Sequence, residues 1–131
     1  MMSLNPNYDT IGKTFVQQYY CMFDDPAQRQ GLGNFYNEEK SLMTFEGMQI
    51  FGRTKILEKI QGLSFQKIGH QITAIDCQPM FDGGILISVL GQLKTDDDPA
   101  HTFTQVFVLK PIADSFYVEH DVFRLALHHT A

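Results

Sequence analysis

Six side chains in this 131-residue chain are of the types that move protons or hold charge in an enclosed site: Tyr19, Glu46, His70, His101, His120 and Asp121. A carboxylate in an apolar pocket has a raised pKa and can serve as a base. The spacing gives such a set little support. His120 and Asp121 are neighbours in a strand-like run, so they point to opposite faces and cannot act as a pair. His70 has no obvious partner in sequence. No HExxH run, GxSxG elbow or phosphate loop is present. The competing reading is that all six are ordinary strand and surface residues. Metal chemistry has less to draw on: His128-His129 is a terminal pair, and a closed structural site wants about four ligands.

The acidic run Asp96-Asp97-Asp98-Pro99 is the more suggestive feature. Three negative charges on a tight connection repel one another unless something cationic offsets them. That suits a docking point for Lys or Arg on a partner, and Glu46, in a tight turn of its own, could join the same patch. Aspartate is also favoured in solvated turns for local hydrogen bonding, so the residues alone leave both readings open. Tyr8 is equally two-sided. It could staple the first helix to the core or stand as an exposed anchor, since tyrosine is enriched at interfaces.

The elements that must position these groups follow from periodicity. Asn5-Pro6 is a plausible helix start, a capping side chain followed by proline where its missing N–H is harmless. Tyr8, Ile11, Phe15, Tyr19 and Met22 then recur at helical steps, and Val16, Tyr20 and Phe23 widen the stripe. Asp24-Asp25-Pro26 should end it. A short second helix is expected over Gln28 to Tyr36, weakened by Gly31 and Gly33. Leu42 to Phe45 and Met48 to Phe51 flank Glu46-Gly47 as a small hairpin. Arg53 to Gln61 reads as a helix stopped by Gly62.

Long strands come last: Gly69 to Gln78, the run from Ile85, a third ending near Lys110, and Phe116 to Leu127. In the second, Ile85, Ile87, Val89 and Leu93 alternate with Leu86, Ser88, Leu90 and Gln92. In the third, Phe103, Phe107 and Leu109 oppose Val106 and Val108. Both faces are therefore apolar, unlike an antiparallel sheet with one wet face. Helices first and strands last give an α+β fold, one domain over residues 1–131, with the helices on one face of a curved, mostly antiparallel sheet. The other face calls for a two-fold dimer packed sheet to sheet.

Net charge is −5, which argues against nucleic acid or an anionic membrane as the main partner. Two cysteines, Cys21 and Cys77, make neither a disulfide framework nor a metal set, and a reducing compartment is expected. No signal peptide is read at the N-terminus, and no run approaches the ~18 apolar residues of a membrane span.

Several longer runs occur in one order: QQYY (Gln17 to Tyr20), FEG (Phe45 to Gly47), SFQKI (Ser64 to Ile68), GQLK (Gly91 to Lys94), the DDDP loop and FRLALH (Phe123 to His128). Through them the chain resembles the nuclear transport factor 2 family over about nine-tenths of its length. The resemblance implies a cone-shaped α+β fold and a homodimeric, non-catalytic carrier without a cofactor or metal. It implies binding of Ran in its GDP form and of phenylalanine-glycine repeat nucleoporins, import of Ran, and residence in cytoplasm and nucleus with enrichment at the nuclear pore. The family's acidic contacts to Ran match Glu46, Asp96 and Asp98. Its Ran-binding cavity matches Phe45, Leu63, Ile68, His101, Val106 and Phe123. Its nucleoporin contacts match Tyr8, Asp24 and Gln49, and Val122 matches a dimer-interface position. Phe45 and Tyr8 stand where familiar members carry tryptophan. The same cone fold also hosts isomerases and dehydratases, so a small-molecule pocket enzyme is the alternative.

Overall fold

The computed structural model describes residues 4–126. Its first helix, α1, spans Tyr8–Asp24. It starts two residues later than the Asn5-Pro6 pattern predicts. The Asn5 side chain accepts the Asn7 N–H at 2.8 Å and holds a turn ahead of the helix instead of capping it. The C-terminal end is where Pro26 dictates, because Asp25 is extended (φ −100°, ψ 111°), as a residue before proline prefers.

The segment predicted as a second helix is a 3-10 helix, Arg29–Phe35. Its glycines run against neighbouring helices: a Cβ on Gly31 would lie 2.8 Å from Met22 Cε. Then follow β1 (Leu42–Phe45), β2 (Met48–Phe51), α2 (Arg53–Gln61), β3 (Ile68–Pro79), β4 (Ile85–Thr95), β5 (His101–Ile112) and β6 (Ser115–Leu125). Glu46 and Gly47 both have positive φ, 50° and 85°, the pattern of a tight hairpin turn that matches strand twist. The last strand ends at Leu125 rather than Leu127. Leu127 and the tail through His128-His129 lie outside the described residues.

The six strands form one sheet in the order β2-β1-β6-β5-β4-β3. Every neighbouring pair is antiparallel except β1 with β6. Register shifts at Ile72/Ala74 and Val108/Leu109 bend the long strands. On the concave face Ile85, Ile87, Phe103, Phe107 and Leu109 are buried under α1. The helix contributes Phe15, Val16, Tyr19, Tyr20 and Phe23, while Tyr8, Ile11 and Met22 sit at the edge, only partly buried. Gly12 lets α1 approach β3, since an added Cβ would lie 2.6 Å from Cys77 Sγ. This is the expected α+β arrangement of helices on one face of a curved sheet.

The opposite face is uncovered in the single chain. Gln49, Thr44, Val122, Val106 and Ser88 follow one another across five strands in register. Val122 is 45% exposed, and Leu90 nearby is 39% exposed. Val106, expected in the cavity, belongs to this outer face. It alternates with Gln105 and Phe107, which are buried on the concave side. Among the described residues, no helix is long and apolar enough to cross a membrane.

Candidate functional site

A hollow of about 330 Å3 opens at the end of the sheet where α1 finishes and β4 and β5 meet. The loop after α2 supplies Leu63 and Phe65, α1 supplies Tyr19 and Phe23, and the strands supply Phe45, Ile68, Leu93 and Phe123. Of the cavity residues expected from sequence, Phe45, Leu63, Ile68, His101 and Phe123 line it and Val106 does not. The walls are apolar because strand alternation sends these strand residues to the concave face, where the apolar sides of α1 and α2 meet them.

One wall is an aromatic column. Phe45 stacks on Phe123 with centroids 4.8 Å apart and planes at 13°, and Phe123 lies 5.8 Å from Phe103. Lys59 Nζ is 5.0 Å from the Phe45 ring centroid, close enough for a cation–π contact. Phe45 is thus held from both sides.

The three acids differ in what their carboxylates do. Asp98 lines the opening. Glu46 follows the lining residue Phe45, and its Oε1 accepts the N–H of Leu125, another lining residue, at 2.5 Å. Asp98 is thus a lining residue, and Glu46 is tied to the lining strand through Leu125. Asp96 Oδ1 instead accepts the N–H groups of Gln66 and Lys67, each at 2.9 Å, while its own N–H donates to Lys67 O at 3.0 Å. Asp96 ties the acidic turn to the segment entering β3. It holds the turn in place through Oδ1, and its exposed carboxylate keeps its charge.

Tyr8, Asp24 and Gln49 are not brought together within one chain. Tyr8 and Asp24 are the first and last residues of α1, about 24 Å apart at ~1.5 Å per residue. Gln49 lies on the outer face of β2, in register with Thr44 and Val122. The Asp24 carboxylate is occupied: Oδ2 accepts the His70 N–H at 3.0 Å and Oδ1 is 2.5 Å from His70 Nδ1. His70, which had no partner in sequence, thus has one 46 residues away, and its ring forms part of the hollow's floor.

Beneath the floor, Asp121 and Tyr19, both named from sequence, join partners that sequence reasoning did not bring to them. Asp121 is fully buried. Tyr36 Oη donates to its Oδ2 at 2.7 Å and Gln105 Nε2 to its Oδ1 at 2.8 Å. Tyr20 Oη donates to Gln105 Oε1 at 2.5 Å, and the Tyr19 and Tyr36 hydroxyls are 2.9 Å apart. Burial pushes the Asp121 pKa up to about 6, and the bonds from Gln105 and Tyr36 pull the other way. Burial likewise holds Tyr19, Tyr20 and Tyr36 well above the usual phenol range, so their hydroxyls keep their protons. A signal for this network was present, since Gln105 and Asp121 share strand parity with Phe103 and Phe123. His120 points outward, as alternation required, and is exposed.

Comparison with known proteins places these features in a family. The model for the Nuclear transport factor 2 (NTF2) domain matches residues 11–125. A protein described as a probable nuclear transport factor 2 from Caenorhabditis elegans is 49% identical, over 97% of this chain and 98% of its own. The structure of nuclear transport factor 2 from Cryptosporidium parvum superposes with a TM-score of 0.87 at 38% identity, over 95% of this chain and 99% of that one. A putative scytalone dehydratase from Novosphingobium aromaticivorans shares the fold, TM-score 0.74, at only 10% identity.

Proposed function

The chain belongs to the nuclear transport factor 2 family, and from that premise we propose that it is a homodimeric, non-catalytic carrier. It binds Ran in the GDP form and phenylalanine-glycine nucleoporins, and takes Ran into the nucleus. Cytoplasm, nucleus and the nuclear pore are its places of work under this reading. The observation that carries it is the apolar hollow with Asp98 in its lining and Glu46 bonded to the lining residue Leu125.

An aromatic side chain of Ran entering the hollow would contribute about 1.5–3 kcal/mol by burial. Losing a desolvated ion pair at the lip costs about 2–5 kcal/mol. The uncovered outer face, with Leu90, Val106 and Val122, supports the dimer. A specific interface there would bury roughly 800 Å2 on each chain. Tyr8, partly buried at the start of α1, offers the repeats a shallow site suited to fast release. The test is capture of Ran by the purified protein, retained with GDP and not retained with GTP.

A second reading, a small-molecule enzyme on the same fold, draws on the His70–Asp24 pair, of which His70 lines the hollow. It requires turnover of an enone or hydroxyketone with a bell-shaped pH profile.

A further inference from the structure

The floor of the hollow has a defined hydrogen-bonding polarity. Asp24, as a carboxylate, can only accept, so His70 Nδ1 donates to it. On the neutral imidazole this fixes the tautomer and leaves Nε2, on the opposite edge of the ring, as an acceptor. Nε2 has no protein partner among the described residues. The His70 side chain is only 4% exposed, so the hollow itself is where a partner must stand.

The neighbouring groups do not supply a donor. Tyr36 has one hydroxyl proton and gives it to Asp121, so Tyr19 must be the donor in the Tyr19–Tyr36 contact. The Tyr19 oxygen then turns lone-pair density, and no proton, to its remaining surroundings. Gln105 gives an N–H to Asp121, and its carbonyl is taken by Tyr20. Phe23, Ile68, Leu93, Phe45 and Phe123 make the apolar part of the remaining wall, and Ser64, Thr95, Asp98 and His101 are its polar members.

We propose that the hollow is a binding site for a neutral, ring-bearing molecule that carries one hydroxyl, of the phenol class, whose O–H donates to His70 Nε2. The size fits. A cavity of about 150 Å3 takes benzene, and this one is about 330 Å3, at the small end of the ~300–1,000 Å3 range of ligand pockets. Ethers and hydrocarbons of the same shape fill the walls but leave Nε2 unpaired. Carbonyl compounds set acceptor against acceptor. The site coincides with the cavity of the proposed carrier function, so its ligand would compete with an inserted side chain. The proposal itself does not depend on that function.

The test uses the full chain alone, with 4-ethylphenol, 4-ethylanisole and 4-methylacetophenone as probes, followed by amide chemical shifts and calorimetry. The expected result for the wild type is saturation by the phenol at least tenfold tighter than by the ether or the ketone, with shifts centred on Tyr19, His70 and Phe123. Asp24→Asn gives a second reading. The asparagine carbonyl can keep the His70 N–H while its NH2 faces Nδ1, so the imidazole proton moves to Nε2. The order should then invert, with the ketone tighter than the phenol. Equal affinity for phenol and ether in the wild type, or no binding of the phenol at millimolar concentration, overturns the proposal. An unchanged order in a folded Asp24→Asn variant overturns the assignment to His70.

Discussion

The Glu46 carboxylate accepts the backbone N–H of Leu125 at 2.5 Å, joining the β1–β2 turn to the end of β6 at the lip of the hollow. Under the carrier reading, this side chain that anchors the fold also supplies charge to a partner. The two roles separate by substitution. Glu46→Gln keeps an acceptor for Leu125 and should weaken Ran-GDP binding while leaving the melting temperature within a degree or two. Glu46→Lys loses both, so it should also cost about 1 kcal/mol of stability. Equal melting temperatures for the two variants would contradict the anchor.

Asp96 and Asp98, two residues apart, should behave differently. Asp96→Ala removes the acceptor for Gln66 and Lys67 and should lower stability by about 1 kcal/mol. Exchange of those two amides should quicken. Asp98→Ala should leave stability unchanged and reduce affinity for a basic partner. Urea titrations and binding isotherms of both variants decide this, and the reverse pattern would exchange their roles.

Asp121 gives the fold a pH dependence with a defined sign. Its pKa rises from 3.8 to about 6 because the ionised form is desolvated. A raised pKa means the folded state holds the proton more tightly than the unfolded chain. This contribution is fully present below about pH 4 and is lost as pH rises through about 6. Its size is on the order of 3 kcal/mol. Relative to Asp121→Asn, the wild type should therefore gain stability as pH falls from 7 to 4.5. A difference between the two that stays constant across that range would contradict the burial argument.

Much of this was legible from alternation. The paired strands, the two apolar faces, the β1–β2 hairpin and the stop at Asp25-Pro26 all follow from local steric and periodic rules. Val106 is instructive, because alternation with Phe107 already placed it outside while the family resemblance placed it in the cavity. The geometry sides with alternation. What sequence could not supply were meetings between distant elements. His70 finds Asp24 across 46 residues, and Asp121 finds Tyr36 across 85. Strand parity tells which polar residues face inward but not which partners await them. The late start of α1 has a local cause, because an Asn side chain can serve a turn as well as a cap.

Val122 tests the outer face without disturbing the core. It is 45% exposed in the single chain, so Val122→Glu should fold with normal stability and sediment as a monomer at concentrations where the wild type is a dimer. A wild-type monomer at tens of micromolar would remove the dimer from the account.

The most direct test of the central claim is titration of the wild type and Asp98→Lys with Ran loaded with GDP or with GTP. The account expects binding of the GDP form, no measurable binding of the GTP form, and a loss of at least ~30-fold in Asp98→Lys with the dimer intact. Equal binding of both nucleotide forms, or an Asp98→Lys variant that binds as well as the wild type, would contradict it.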